Sequence, residues 1–183
     1  MKSTGSTALL DEVRRRLSPE RFAHVLRVAE LARAVAPAVG VDPDKAYRAG
    51  LLHDLAKELP DRELLRLAPP ENEVERAHPP VLHGRAGRKL AEGLGERDPE
   101  VLAAIEGHVV GVGPDFPLGM LIYVADLAEP GRGFNRDLLP LLESGRLLEA
   151  YRRAVERKVA YLESRGIPVH PRTREVQRAL EAA

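Results

Sequence analysis

Three times along this chain an oxygen-bearing side chain, a proline and an acid follow one another: Ser18-Pro19-Glu20, Asp42-Pro43-Asp44 and Asp98-Pro99-Glu100. Each triplet is a helix start. The side-chain oxygen accepts from the orphan amides of a first turn, proline takes the first helical position, and the acid complements the helix dipole. Apolar residues at helical spacing follow each one. Phe22, Val25, Leu26, Ala29, Ala32 and Val35 line one face of the first segment, which Pro37 and Gly40 end. The second runs from Pro43 through Ala46, Gly50, Leu51 and Leu55 and stops before Pro60. Val101, Leu102, Ile105 and Val109 stripe the third, which closes near Gly111.

Further helices are predicted over residues 9–17, 61–67, 80–93, 117–128, 138–142 and 145–164, with a short terminal one from about Pro171. Residues 68–80, rich in Pro and Glu, and residues 111–116 read as loops. There is no Asn-Gly or Asp-Gly hairpin signal, no repeat and no low-complexity tract. The expectation is an all-α fold, one compact helical bundle. An N-terminal helix over 1–17 would precede a main domain over 18–165, and a tail over 166–183 would pack on or beside it.

Charge narrows the partners. Lys plus Arg and Asp plus Glu both number 28, so no global field recruits nucleic acid or an anionic membrane. A polyanionic substrate would have to meet a local cluster of cations. The most apolar stretch, residues 118–128, is too short to span a bilayer and contains Asp126. Residues 1–10 hold no apolar core long enough for a signal peptide. The expectation is a soluble, cytoplasmic protein. Cysteine is absent, so any metal must sit on nitrogen and oxygen.

Four of the six histidines, His24, His53, His83 and His108, fall on or at the ends of predicted helices. His53-Asp54 stands between Ala49-Gly50-Leu51-Leu52 and Leu55-Ala56-Lys57, and Asp126 between Ile122-Tyr123-Val124-Ala125 and Leu127-Ala128. Burying such groups without partners is costly, and a bound cation would satisfy both. Neutral imidazoles and carboxylates favour Fe, Mn, Co or Zn over Ca. Neighbours on a helix point about 100° apart, so His53 and Asp54 cannot duplicate each other. A carboxylate has two oxygens and can bridge two ions. The competing reading is a satisfied buried polar network, with His83 and His108 as a capping group and a surface histidine.

His24, then His53-Asp54, then a distant Asp126 resemble, in that order, the HD phosphohydrolase superfamily. The surroundings resemble one branch of it, the YqeK-like symmetrical bis(5'-nucleosyl)-tetraphosphatases. The similar pieces are Arg21-Phe22-Ala23-His24, Gly50-Leu51-Leu52-His53-Asp54-Leu55-Ala56-Lys57, Leu82-His83-Gly84, His108, the run from Tyr123 through Asp126 to Arg132, and Val169-His170-Pro171-Arg172-Thr173. The likeness spans residues 21–173 and departs where Val109-Val110-Gly111 replace a Thr-containing stretch. It implies the HD-type helical bundle and a centre of two divalent or mixed-valence transition-metal ions, commonly iron, with Mn, Co or Zn as alternatives. His24, His53, Asp54 and Asp126 would hold one ion. Asp54 would bridge to a second, completed by His83 and His108. The implied reaction cuts diadenosine tetraphosphate into two ADP by metal-activated water. Asp54 and Lys57 would be catalytic, and Lys57, Arg132 and Arg21 would bind phosphate. Other HD-type activities, a nucleoside 5'-monophosphatase or a related phosphodiesterase, stay open, as do a non-catalytic nucleotide-binding module and a homodimer.

Overall fold

The computed structural model describes residues 4–183, and no strand occurs among them. The helices in chain order are α1 (Thr4–Arg16), α2 (Pro19–Val35), α3 (Pro43–Leu52), α4 (Asp61–Leu67), α5 (Glu73–Ala77) and α6 (His83–Gly93), followed by α7 (Pro99–Gly107), α8 (Pro117–Ala128), α9 (Leu139–Glu143), α10 (Leu147–Ser164) and α11 (Pro171–Ala182). The three proline-marked starts are caps. Ser18 Oγ accepts from the Arg21 amide at 3.2 Å, Asp42 from Asp44 at 2.8 Å, and Asp98 from Glu100 at 2.9 Å.

Helix α8 is the axis of the bundle. Its residues from Leu118 to Ala125 are all buried, as a helix apolar on every side requires. It packs against α2, α3, α7 and α10. A smaller apolar cluster, Ala56, Leu64, Ala68, Leu82 and Ala86, joins α4 to α6. The C-terminal helix α11 buries Val176 and Leu180 in the main core, and Thr173 Oγ1 donates to the Val110 carbonyl at 2.9 Å. None of the described helices is long and apolar enough to cross a membrane.

Several boundaries differ from the expectations: α1 already begins at Thr4, ahead of the expected residue 9, and α7 ends at Gly107, short of Val109. Helix α3 stops at Leu52 instead of reaching Leu55. The His53 ring donates from Nδ1 to the Gly50 carbonyl at 2.6 Å, the acceptor that an Asp54 amide would need to extend the helix. Residues 79–82 form a tight 3-10 turn, and α6 begins only at His83, because Pro79 and Pro80 bring no amides to a regular helix. The segment 68–80 is not all loop, since α5 lies within it. Five residues are too few for periodicity to register, but Asn72 accepts from the Glu75 amide at 3.1 Å, at capping-box spacing. Residues 138–142 divide between a turn ending at Leu138 and α9.

Candidate metal centre

Two glycines bring the relevant helices together. A Cβ on Gly50 would lie 2.7 Å from Ala29 Cα, so only glycine lets α3 approach α2 this closely. A Cβ on Gly84 would overlap the Glu106 carbonyl oxygen, so the start of α6 sits directly on the end of α7. The first contact sets His24 of α2 beside His53 at the end of α3. The second sets His83 against His108, and α8 adds Asp126 from the other side.

Six side chains converge in two groups that share Asp54: His24, His53, Asp54 and Asp126 in one, and Asp54, His83 and His108 in the other. Asp54 turns a different oxygen to each. Its Oδ2 lies 3.6 Å from His24 Nε2 and 3.5 Å from His53 Nε2. Its Oδ1 lies 3.4 Å from His83 Nε2 and 3.2 Å from His108 Nε2. Asp126 Oδ1 closes the first group at 2.9 Å from His24 Nε2 and 3.5 Å from His53 Nε2.

The outer ring nitrogens show how these imidazoles are held. His53, His83 and His108 each donate from Nδ1 to the carbonyl three residues earlier, those of Gly50, Pro80 and Ile105, at 2.6, 2.7 and 2.7 Å. A carbonyl can only accept, so each Nδ1 carries a proton, and Nε2 is the atom that can turn a lone pair to a cation when the ring is neutral. His24 Nδ1 meets the Glu129 carboxylate at 3.0 Å, and that carboxylate is itself held by Arg27 at 2.8 Å and the Gly131 amide at 2.6 Å. Outer partners of this kind orient metal-binding histidines.

Three observations fit the group to a cation. His83 Nε2 and His108 Nε2 face each other at 3.0 Å, and two lone pairs at that distance repel unless positive charge lies beside them. His53 Nε2 is fully buried and makes no hydrogen bond, a costly state for a polar atom. The donors are all nitrogen and oxygen, the set that suits Fe, Mn, Co or Zn. The electrostatics agree. Burial alone would lower the His53 value, but Asp54 and Asp126 push it up to about 9. Burial pushes His108 down to about 4 against the pull of Asp54. Both carboxyls stay well below their ordinary value although burial opposes it: His53, His108 and His83 hold Asp54 down, and His24 and His53 hold Asp126 down. The two carboxylates stay charged and favour positive charge at His53 beside them.

Asp54, His83, His108 and Asp126 line a cavity of about 710 Å³, with His24 and His53 buried behind them. Five cations line it, Arg21, Lys57, Arg132, Arg157 and Lys158, against only two carboxylates, Asp54 and Asp126. Arg21 Nη1 donates to Asp54 Oδ2 at 2.9 Å, and Arg132 Nη2 donates to Asp126 Oδ1 at 2.9 Å. The loop of Arg132 is therefore pinned, and Glu129 caps its turn through the Gly131 amide. Lys57 stands exposed at the rim.

Lys158 is not among the residues expected from sequence. Its ammonium donates to the Val109 carbonyl at 2.6 Å, and burial pushes it down to about 8. A signal exists: Lys158 falls on the buried stripe of α10 formed by Tyr151, Ala154, Val155 and Val159, where a lysine is out of place. His78 is exposed, whereas His170 caps α11 by accepting from the Arg172 amide at 3.0 Å and bonds Glu75 at 2.9 Å.

Residues 21–131 match the model of the HD domain family. The chain belongs to that family. A symmetrical bis(5'-nucleosyl)-tetraphosphatase of Bacillus subtilis is 30% identical over 168 residues, which cover 88% of this chain and 89% of that protein. A probable nicotinate-nucleotide adenylyltransferase/Ap4A hydrolase of Mycoplasma genitalium is 32% identical over 159 residues, 81% of this chain and 45% of that protein. This HD chain thus spans less than half the length of that bifunctional relative. A crystal structure of a "predicted HD superfamily hydrolase involved in NAD metabolism" from Clostridium acetobutylicum aligns with a TM-score of 0.90 at 30% identity, over 97% of each chain.

Proposed function

We propose that this HD-family chain is a metal-dependent hydrolase that splits dinucleoside tetraphosphates symmetrically, diadenosine tetraphosphate plus water giving two ADP. The observation that carries the reading is Asp54, which offers one oxygen to each of two ligand groups on the floor of a cation-lined cavity. His24, His53, Asp54 and Asp126 would hold one metal ion, and Asp54, His83 and His108 a second, with iron as the proposed metal. When bound, such a pair activates water at neutral pH and offsets the charge that builds on a phosphoryl group under attack.

The chain's own residues do the rest. A tetraphosphate carries several negative charges, and the excess of cations over carboxylates in the cavity is what would draw it in. Lys158 donates to a carbonyl and not to a carboxylate, and Lys57 stands exposed, so both charges can meet phosphate oxygens. Lys57 would sit beside the reacting phosphate, whose charge grows as the bond breaks. Arg132 and Arg21 hold the ligand carboxylates in place with some of their N–H groups, and the remaining ones can reach a non-reacting phosphate. The family name that the B. subtilis relative carries supports this substrate class.

The test is product analysis of diadenosine tetraphosphate hydrolysis by the metal-loaded protein in ¹⁸O-labelled water. Two ADP are expected, with label on the β-phosphate of one of them. AMP plus ATP, or an intact substrate, would refute the proposal.

A further inference from the structure

The chain has seven aromatic residues, four Tyr and three Phe, and no Trp. Only two of them are exposed, Phe134 at 56% and Tyr161 at 55%, and both line the cavity above the metal-ligand groups. A single exposed aromatic needs no explanation. Two on the wall of one cation-lined cavity are a different matter, because the loop that carries the first is built to hold it there.

Phe134 stands between two residues in the left-handed region, Gly133 at φ 77° and Asn135 at φ 58°. Asn135 is the only such non-glycine residue among those described, and strain of this kind persists where neighbours enforce it. Here they do. The Asn135 side chain donates to the Leu127 carbonyl at 3.4 Å and accepts from Arg157 Nη1 at 3.0 Å. Arg157 also pairs with Asp137 at 2.6 Å, tying the loop to α10 on both sides of Arg136. Tyr161 lies one turn beyond Arg157 on the same face of α10. Both rings line the cavity, Tyr161 about one turn of helix past Lys158. Arg165 stacks on Tyr161 at 5.3 Å, and the ring remains more than half exposed.

We propose that Phe134 and Tyr161 form an aromatic shelf on which one nucleobase of the substrate stacks, an inference that rests on the nucleotide substrate proposed above. The second groove at the site, which shares Arg21 and Arg132, is lined by Ser18, Glu20, His24, Arg27, Glu58, Glu129 and Gly131 and contains no Phe or Tyr on which a base could stack. A symmetric substrate is therefore held unequally. One half is gripped through base and phosphate, the other through phosphate alone. The Asn135 amide is already engaged by Leu127 and Arg157, so the shelf reads a π-face and not a base edge. Adenine and guanine dinucleotides should bind alike, because every base has such a face.

The absence of Trp supplies the probe. In the metal-loaded Phe134→Trp protein the introduced indole is the single one in the chain. ADP should quench its fluorescence and inorganic pyrophosphate should not. Phe134→Ala and Tyr161→Ala should each raise KM for diadenosine tetraphosphate roughly ten-fold with little change in kcat, and Phe134→Tyr should restore KM. Equal quenching by pyrophosphate, or unchanged KM in both alanine variants while the substrate is still cleaved, overturns the shelf. Quenching by ADP in a protein that leaves the tetraphosphate intact overturns the proposed reaction and supports the shelf.

Discussion

Replacing Gly50 by Ala tests whether the close approach of α2 and α3 builds the metal centre. The added Cβ would lie 2.7 Å from Ala29 Cα and 2.9 Å from Ala29 N, where ordinary contact begins at 3.4 Å. The helices must then part by about 0.7 Å, the gap between the first figure and the last. Two effects compete. Ala is favoured over Gly in a helix interior by about 1 kcal/mol, whereas overpacking costs about 1–3 kcal/mol. The obstacle is backbone, which no rotamer change relieves, so the upper end applies and the net loss is about 2 kcal/mol. For a chain of 183 residues that lowers Tm by about 4–8 °C. The same displacement exceeds the tolerance of roughly 0.5 Å for a ligand constellation, and it separates His24 from His53, so metal content should fall with Tm. Gly93→Ala is the control, since a Cβ there meets nothing within 4 Å and Tm should hold or rise. Thermal melts by circular dichroism and metal analysis read both effects. A Gly50→Ala protein that melts at the wild-type temperature with full metal would show that the helix contact does not set the site.

Other perturbations separate the remaining roles. His83→Ala and His108→Ala should each lose one metal equivalent and most activity while keeping the helical spectrum; full activity in both would leave a one-ion site. Lys57→Ala should lower kcat more than it raises KM, and Arg132→Ala should mainly raise KM, which steady-state kinetics resolves. Glu75 is held below its ordinary value of 4.5: burial pushes it up, but the Glu71 amide, His170 and Arg85 outweigh that. A depressed carboxyl stabilises the fold fully above its unfolded value and loses that contribution as pH falls through the folded one. Glu75→Gln should therefore cost about 1.5–3 kcal/mol at neutral pH and flatten the loss of Tm below pH 4.5, where an unchanged acid limb would exclude Glu75 as its source.

His53, Asp54 and Asp126 are legible because each breaks a local rule. His53-Asp54 and Asp126 interrupt apolar helical runs, and burying such groups demands a partner wherever the chain goes. His83 and His108 are carried by family resemblance, since neither lies in a run that periodicity marks as wholly buried. Phe134, Tyr161 and Arg157 are not legible. An exposed aromatic on a helix and an arginine in a salt bridge look alike in sequence whether or not a cavity lies beneath them.

The sequence by itself determined the all-α class and the three proline-marked helix starts, because capping and periodicity act within a few residues and need no distant partner. It also determined the donor chemistry, since a chain without cysteine offers a metal only nitrogen and oxygen. Tertiary structure alone decided which oxygen of Asp54 faces which histidines, that Glu129 orients His24 across 105 positions of chain, and that Lys158 stands half-buried at the cavity wall. Those outcomes depend on helix contacts set by Gly50 and Gly84, and a contact between helices is a property of two surfaces that no local pattern contains.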